Sequence, residues 1–216
     1  MKPYLSLSLL FLAFSVTYAQ EIRLNTYGSY VFQDRFSSYF GGNSYFEGKI
    51  EDGFRWGAGI EYLIQGRTAL EIQYLRQDTG APISYRVGNF AGIEFTDYDL
   101  AINYIMLNST RYFPLSERAE PFLGAGLGIG IFHVNNPDLR SSDSYTKFAW
   151  QIRGGSNLWL TDRLAFRVEA ALASVVQAVG GGIYFGTGGS GISFDSYSTI
   201  YQFSVGGGIV FRFPGG

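Results

Sequence analysis

Along most of this chain, apolar and polar residues alternate with period two, the pattern of β-strands whose two faces meet different surroundings. Phe54, Trp56, Ala58, Ile60, Tyr62 and Ile64 share one face, against Arg55, Gly57, Gly59 and Glu61. Leu70, Ile72 and Tyr74 oppose Glu71 and Gln73, and Tyr98, Leu100, Ile102, Tyr104 and Met106 oppose Asp97, Asp99 and Asn103. Between 121 and 133, Leu123, Ala125, Leu127, Ile129 and Ile131 alternate with Gly124, Gly126, Gly128 and Gly130. The same split puts Phe148, Trp150 and Ile152 against Lys147, Gln151 and Arg153, and Phe166 and Val168 against Arg167 and Glu169. It ends with Tyr201, Phe203, Val205, Ile209, Phe211 and Phe213 against Gln202, Ser204 and Arg212. The first strand is weakest, with Ile22, Leu24, Tyr30 and Phe32 against Arg23, Asn25 and Ser29.

The pattern predicts eight strands, near 21–32, 53–65, 68–78, 96–113, 120–134, 145–160, 163–175 and 197–213. Most are about twice the ~5–6 residues common in soluble sheets and match the roughly 9–11 that a tilted membrane-crossing strand needs. The connections alternate between tight turns and long loops over about 33–52, 79–95, 135–144 and 176–196. Eight long strands joined in this way predict an all-β fold, a closed eight-stranded antiparallel transmembrane β-barrel. Its apolar face then meets lipid and its other face lines a narrow lumen, which suits glycine better than a solvated surface does. On this assignment Arg23, Arg55, Glu61, Glu71, Asp99, Arg153, Arg167, Glu169 and Arg212 meet inside as a charge network, five basic against four acidic. Buried charges require such pairing. One strand resists: continuing its apolar face past Leu107 sends Asn108 and Thr110 towards lipid, so a bulge or an early exit from the bilayer is expected there.

Residues 1–19 read as a secretory signal peptide, with Lys2, an apolar run from Leu5 to Val16 and the small-x-small pattern Thr17-Tyr18-Ala19. The barrel domain is then 20–216. Composition narrows the chemistry. The absence of Cys among 216 residues removes disulfides, Cys-ligated zinc and thiol nucleophiles, and the single His leaves no His-rich metal centre. No cofactor and no metal are expected. A net charge of −2, with 16 basic and 18 acidic residues, argues against nucleic acid, which needs a basic stripe.

The segment Pro121 to Gly130 (PFLGAGLGIG), preceded by Arg111-Tyr112-Phe113, resembles the small eight-stranded outer-membrane β-barrel family, which includes the OmpA membrane domain, OmpX and many "porin family" proteins. The last strand, with Gly208, Phe211 and Phe213, looks like the C-terminal signal that the barrel-assembly machinery reads. The resemblance covers the mature chain. It implies a place in the bacterial outer membrane, lipid and lipopolysaccharide as neighbours, and a non-enzymatic structural or surface-interaction role.

The glycines at 124–130 lack the strand-to-helix context of a nucleotide loop. His133 is the one catalytic candidate, for the alternative of a lipid A-modifying enzyme. The related deacylases resemble a His-x-Ser pair, whereas this chain has His133-Val134-Asn135, with Ser141, Ser142 and Ser144 further on. A narrow channel is the third reading, although eight strands enclose little more than their own side chains. Function is expected in the long loops, where Tyr39, Phe40, Tyr45, Phe46, Tyr184 and Phe185 are contact candidates.

Overall fold

The computed structural model describes residues 21–40, 44–64, 67–86, 94–136, 141–176 and 200–213. The strands are β1 (Ile22–Val31), β2 (Asp34–Phe40), β3 (Ser44–Ile50), β4 (Gly53–Ile64), β5 (Thr68–Arg86), β6 (Glu94–Tyr112), β7 (Ala119–Asn136), β8 (Ser141–Trp159), β9 (Leu164–Val176) and β10 (Ile200–Arg212). Eight of them form a ring in the order β5-β4-β1-β10-β9-β8-β7-β6, closed by β5 against β6, and every pairing is antiparallel. The expected barrel is therefore present. Residues 1–19, expected as a leader, and Tyr184 and Phe185 lie outside the described residues.

The two described tight turns share one device. At one, Leu115 N donates to Ala119 O (3.0 Å) and the Ser116 hydroxyl accepts from Ala119 N (3.1 Å). At the other, Leu160 N donates to Leu164 O (2.9 Å) and the Thr161 hydroxyl accepts from Leu164 N (3.1 Å). A short hydroxyl side chain satisfies a backbone donor that the turn would otherwise leave open.

The opposite end differs from expectation. Within the described residues, segments expected as loops extend the strands. β5 continues to Arg86, β6 begins at Glu94, β7 runs to Asn136 and β8 begins at Ser141. The stretch 33–52 supplies the β2–β3 hairpin, and β3 pairs with β5 from Tyr45↔Arg86 to Gly48↔Ile83, beyond the point where β4 ends at Arg55↔Gln77. Backbone pairing continues because donors and acceptors need partners whatever lies outside the wall.

Burial fixes the faces. Phe54, Trp56, Ile60, Leu70, Ile72, Leu123, Leu127, Ile152, Phe166 and Ile209 point outwards and are exposed, while Arg23, Arg55, Glu61, Glu71, Arg153 and Arg167 are buried inside. Aromatic pairs mark the outer face of the wall: Phe32 stacks on Phe203 with centroids 5.6 Å apart, and Trp56 meets Tyr74 edge-on at 6.2 Å. At the turn end Phe211 and Phe213 are both exposed and 5.1 Å apart, and Gly208 lies against the Thr26 carbonyl.

β6 overturns one expectation. Tyr98, Leu100, Ile102, Tyr104 and Met106 face the lumen, not lipid, and Asp97 and Asp99 face outwards. Asp99 is therefore not part of the interior charge network. No bulge intervenes, because the register with β5 is unbroken from Thr68↔Arg111 to Tyr85↔Glu94. Asn108 and Thr110 are buried in phase with Met106. What changes along β6 is the polarity of its outer face. The outward row Tyr74–Ile105–Ile129–Phe148 crosses four strands and is wholly apolar, and the next row towards the hairpins is Arg76–Asn103–Ile131–Thr146. The two after that are Asp78–Ala101–His133–Ser144 and Gly80–Asp99–Asn135–Ser142. Four strands thus change from lipid-compatible to water-compatible together, and their inner faces change in the opposite sense.

Candidate functional site

The lumen is filled in layers. Towards the hairpins it is an apolar core that includes Ile50, Leu75, Ile83, Leu100, Ile102, Phe132, Val134 and Ile200. The outer face of this part of the wall is polar, so the apolar side chains turn inwards, as in a soluble barrel. Below the boundary row the lumen is ionic.

Two clusters make up the ionic layer. In the first, Arg153 Nη2 sits 2.6 Å from Glu71 Oε2 and donates to the Thr110 hydroxyl (2.8 Å). Arg153 Nη1 (3.2 Å) and Arg167 Nη1 (2.9 Å) both donate to the Tyr27 hydroxyl, which in turn donates to Glu71 Oε1. Arg167 Nη2 donates to the Tyr112 hydroxyl (2.9 Å), which donates to Glu61 (2.8 Å), and Asn25 donates to Glu71 (2.8 Å). In the second, Arg23 and Glu120 form a two-pronged pair at 2.8 and 3.1 Å, and Asn157 (2.9 Å) and Trp159 (3.3 Å) donate to the same carboxylate. The Arg23 guanidinium also lies 4.8 Å from the Tyr112 ring centre. Charge-assisted bonds of this kind are the strong ones, and within the cluster Arg153 Nε and Asn25 Oδ1 are left without a hydrogen-bond partner.

Glycine makes room for these groups. A Cβ on Gly59 would run into the Glu71 carboxylate, and one on Gly126 would run into the Asn108 amide. Asn108 donates to Gln73 (3.0 Å) and accepts from Gln151 (2.6 Å), forming the amide layer next to the charges.

The expected network is thus brought together only in part. Arg23, Glu61, Glu71, Arg153 and Arg167 converge, and Glu169 joins at the edge, 3.7 Å from Arg153. Arg212 sits at the mouth of the turn end, where it pairs with Glu21 (2.7 Å) and lies 3.9 Å from the Trp159 ring centre. Arg55 is buried beside Glu169 without forming an ion pair among the described residues, and Asp99 is outside. Sequence reading missed Glu120, Tyr27 and Tyr112. Counting in twos from Gly124 back to Glu120, or from Arg23 on to Tyr27, would have placed those two inside.

His133 is exposed on the outer face, directly opposite Ser144. Among the described residues no hydrogen bond joins them, and no group of three acidic or imidazole side chains is placed to hold a metal. The strands carrying Tyr39, Phe40, Tyr45 and Phe46 form the β2–β3 hairpin, where Tyr39 and Tyr45 are register partners.

No protein-family model matches the chain, and no curated protein does either. Solved structures do resemble it. Neisserial surface protein A shares 13% identity over 91% of this chain and 98% of its own, with a TM-score of 0.55. The outer-membrane protein OprG of Pseudomonas aeruginosa shares 13% over 90% and 96%, with a TM-score of 0.58. The chain has the fold of the small outer-membrane β-barrels. At that identity the likeness concerns architecture only. In this barrel, closure, strand number and face polarity all follow from residues already described.

Proposed function

We propose that this barrel is an integral protein of a bacterial outer membrane, exported by a leader at 1–19, with a filled lumen and a structural or surface-interaction role. The observation that supports it best is the shared polarity switch at the row Tyr74–Ile105–Ile129–Phe148, which suits a lipid belt below and water above. The hairpin end then faces the cell exterior, and lipopolysaccharide surrounds the row that carries Asp78, His133 and Ser144. The β2–β3 hairpin and the segment carrying Tyr184 and Phe185 are the surfaces offered to a partner. Gly208, Phe211 and Phe213 on the last strand are the features offered to the assembly machinery. Membranes from cells making the protein should retain it through carbonate and salt washes, and unheated samples should migrate faster than boiled ones on a denaturing gel. Release by carbonate without detergent would overturn the reading.

A second reading, an enzyme acting on outer-leaflet lipid, has one observation in its favour: the cross-strand juxtaposition of His133 and Ser144 at headgroup level. It predicts that His133→Asn or Ser144→Ala alters the lipid A profile of the host. Identical profiles with wild type and both variants would remove it.

A further inference from the structure

The register round the ring fixes the relative height of every outward position. Followed through paired residues by way of β10, β8 and β6, a path that leaves β1 at Val31 returns to it, from Leu63 of β4, at Glu21. The strands are therefore staggered by ten residues over one circuit of eight. That stagger tilts them by about 40° and gives each residue about 2.5 Å of height. Level positions then shift by about 1.25 residues from one strand to the next. On this scale Ser109 of β6 is level with Val168 of β9, Arg111 of β6 with Phe166 of β9, and Arg76 of β5 with Trp150 of β8.

Across these levels the outward positions of β1, β4, β7, β8, β9 and β10 carry no charge. On β10 the uncharged outward row runs from Tyr201 to Phe211, a height of roughly 25 Å that matches the apolar band of outer-membrane barrels. β5 and β6 differ. The outward apolar positions of β5 are Leu70, Ile72 and Tyr74, with Arg76 and Asp78 above them. They cover a height of roughly 10 Å. On β6 Leu107 and Ile105 have Ser109 and Arg111 below and Asn103 above. These polar groups hold one another at the edges of the short band: Arg76 donates twice to Asp78 (3.0 and 2.7 Å), Arg111 donates to the Thr68 hydroxyl (2.8 Å), and the Tyr74 hydroxyl donates to Asn103 (2.7 Å). A barrel leaning in the membrane would shift both edges of its belt the same way on any one side. Here the upper edge drops on β5 and the lower edge rises on β6, so the belt is pinched from both sides on one flank.

Charge facing hydrocarbon on the outside of a barrel is costly, and a bilayer thicker than the apolar wall it meets becomes thinner beside it. We propose that β5 and β6 form a lipid-facing surface that thins the outer membrane on one flank, drawing headgroups of both leaflets in towards Arg76 and Asp78 above and Arg111 below. The partner is the bilayer itself, which the other six strands hold at full thickness. This surface presupposes the outer-membrane role proposed above and adds to it a local effect on lipid packing.

The chain has no cysteine, so the full mature protein carrying Ser109→Cys or Val168→Cys takes a single environment-sensitive fluorophore. Each labelled protein is folded into phosphatidylcholine vesicles that contain lipid brominated either near the headgroup or near the chain end. The two labels are level on the barrel, so a bilayer of even thickness quenches them alike. The Val168 label should be quenched several-fold more by deep bromine than by shallow, and the Ser109 label the reverse. Equal profiles would mean that Arg111 reaches the headgroups by its side chain alone, and would overturn the proposal. A Ser109 label shielded from both lipids would overturn it in favour of a second protein on this flank. A Val168 label that neither lipid quenches would show that the barrel is not inserted, and the outer-membrane reading would fall together with the thinning. Combining Arg76→Leu, Asp78→Leu and Arg111→Leu should move the Ser109 label to the depth of the Val168 label, and a label that stays shallow in that folded variant also overturns the proposal. If the variant does not fold, the two labels in the otherwise unchanged chain decide the matter.

Discussion

Tyr27 accepts from two arginines and donates to Glu71, so one neutral hydroxyl shares a carboxylate between Arg153 and Arg167. Removing one charge from such a cluster strands the other. Arg153→Met leaves the buried Glu71 carboxylate without its paired cation and should cost about 3–5 kcal/mol, while Arg153→Met with Glu71→Gln should cost much less than the two single changes summed. Urea titration of tryptophan fluorescence in lipid vesicles measures both. The glycines carry a separate expectation. Gly59→Ala forces its methyl into the Glu71 carboxylate, and overpacking of this kind costs about 1–3 kcal/mol. Ala at Gly154, whose nearest neighbours stand 3.6 Å from the added carbon, should be tolerated and serves as the control.

At the scale of the element, β6 tests how the wall was read. A strand that keeps its phase leaves Asp99 and Leu107 exposed and Leu100 in the apolar core, and the proposed membrane belt then puts Asp99 in water and Leu107 in lipid. The chain has no cysteine, so single introduced thiols report without interference. In intact membranes Asp99→Cys should react with a membrane-impermeant maleimide, and Leu100→Cys and Leu107→Cys should not. Labelling at Leu100 with protection at Asp99 would restore the reversed phase. Period two was legible in the sequence for every strand of the ring, and it gave the right inward face in all of them but β6. It failed for Tyr98 to Met106 because alternation reports two faces and not what surrounds each, and the outer face of β6 changes from polar to apolar along its length. The same blindness made wall out of expected loops: hydrophobic periodicity fades above the belt, while backbone pairing does not. Convergence in the lumen was half legible. Counting positions tells which charges point inwards, but which arginine meets which glutamate depends on ring closure and strand stagger, as the pairing of Arg23 with Glu120 across 97 positions illustrates.

For the whole molecule, the two lumen layers bear on the reading of a narrow channel. Ions crossing the barrel would have to pass both the paired charges around Glu61, Glu71, Arg153 and Arg167 and the apolar core around Ile102 and Phe132. An apolar constriction excludes ions by excluding water, so it blocks passage even when the charged layer is loosened. Wild-type protein in planar bilayers should therefore give no stepwise conductance. Glu61→Ala with Arg167→Ala, confirmed as folded by its gel shift, should stay silent too, because the core above it remains dry. Only when that pair is combined with Ile102→Ala and Phe132→Ala should discrete currents arise. Currents from the charged-layer variant alone would mean that the apolar core breathes enough to admit water, and the ionic layer would then be the gate. Silence from the four-residue variant would mean that the remaining large side chains close the lumen without help from either layer.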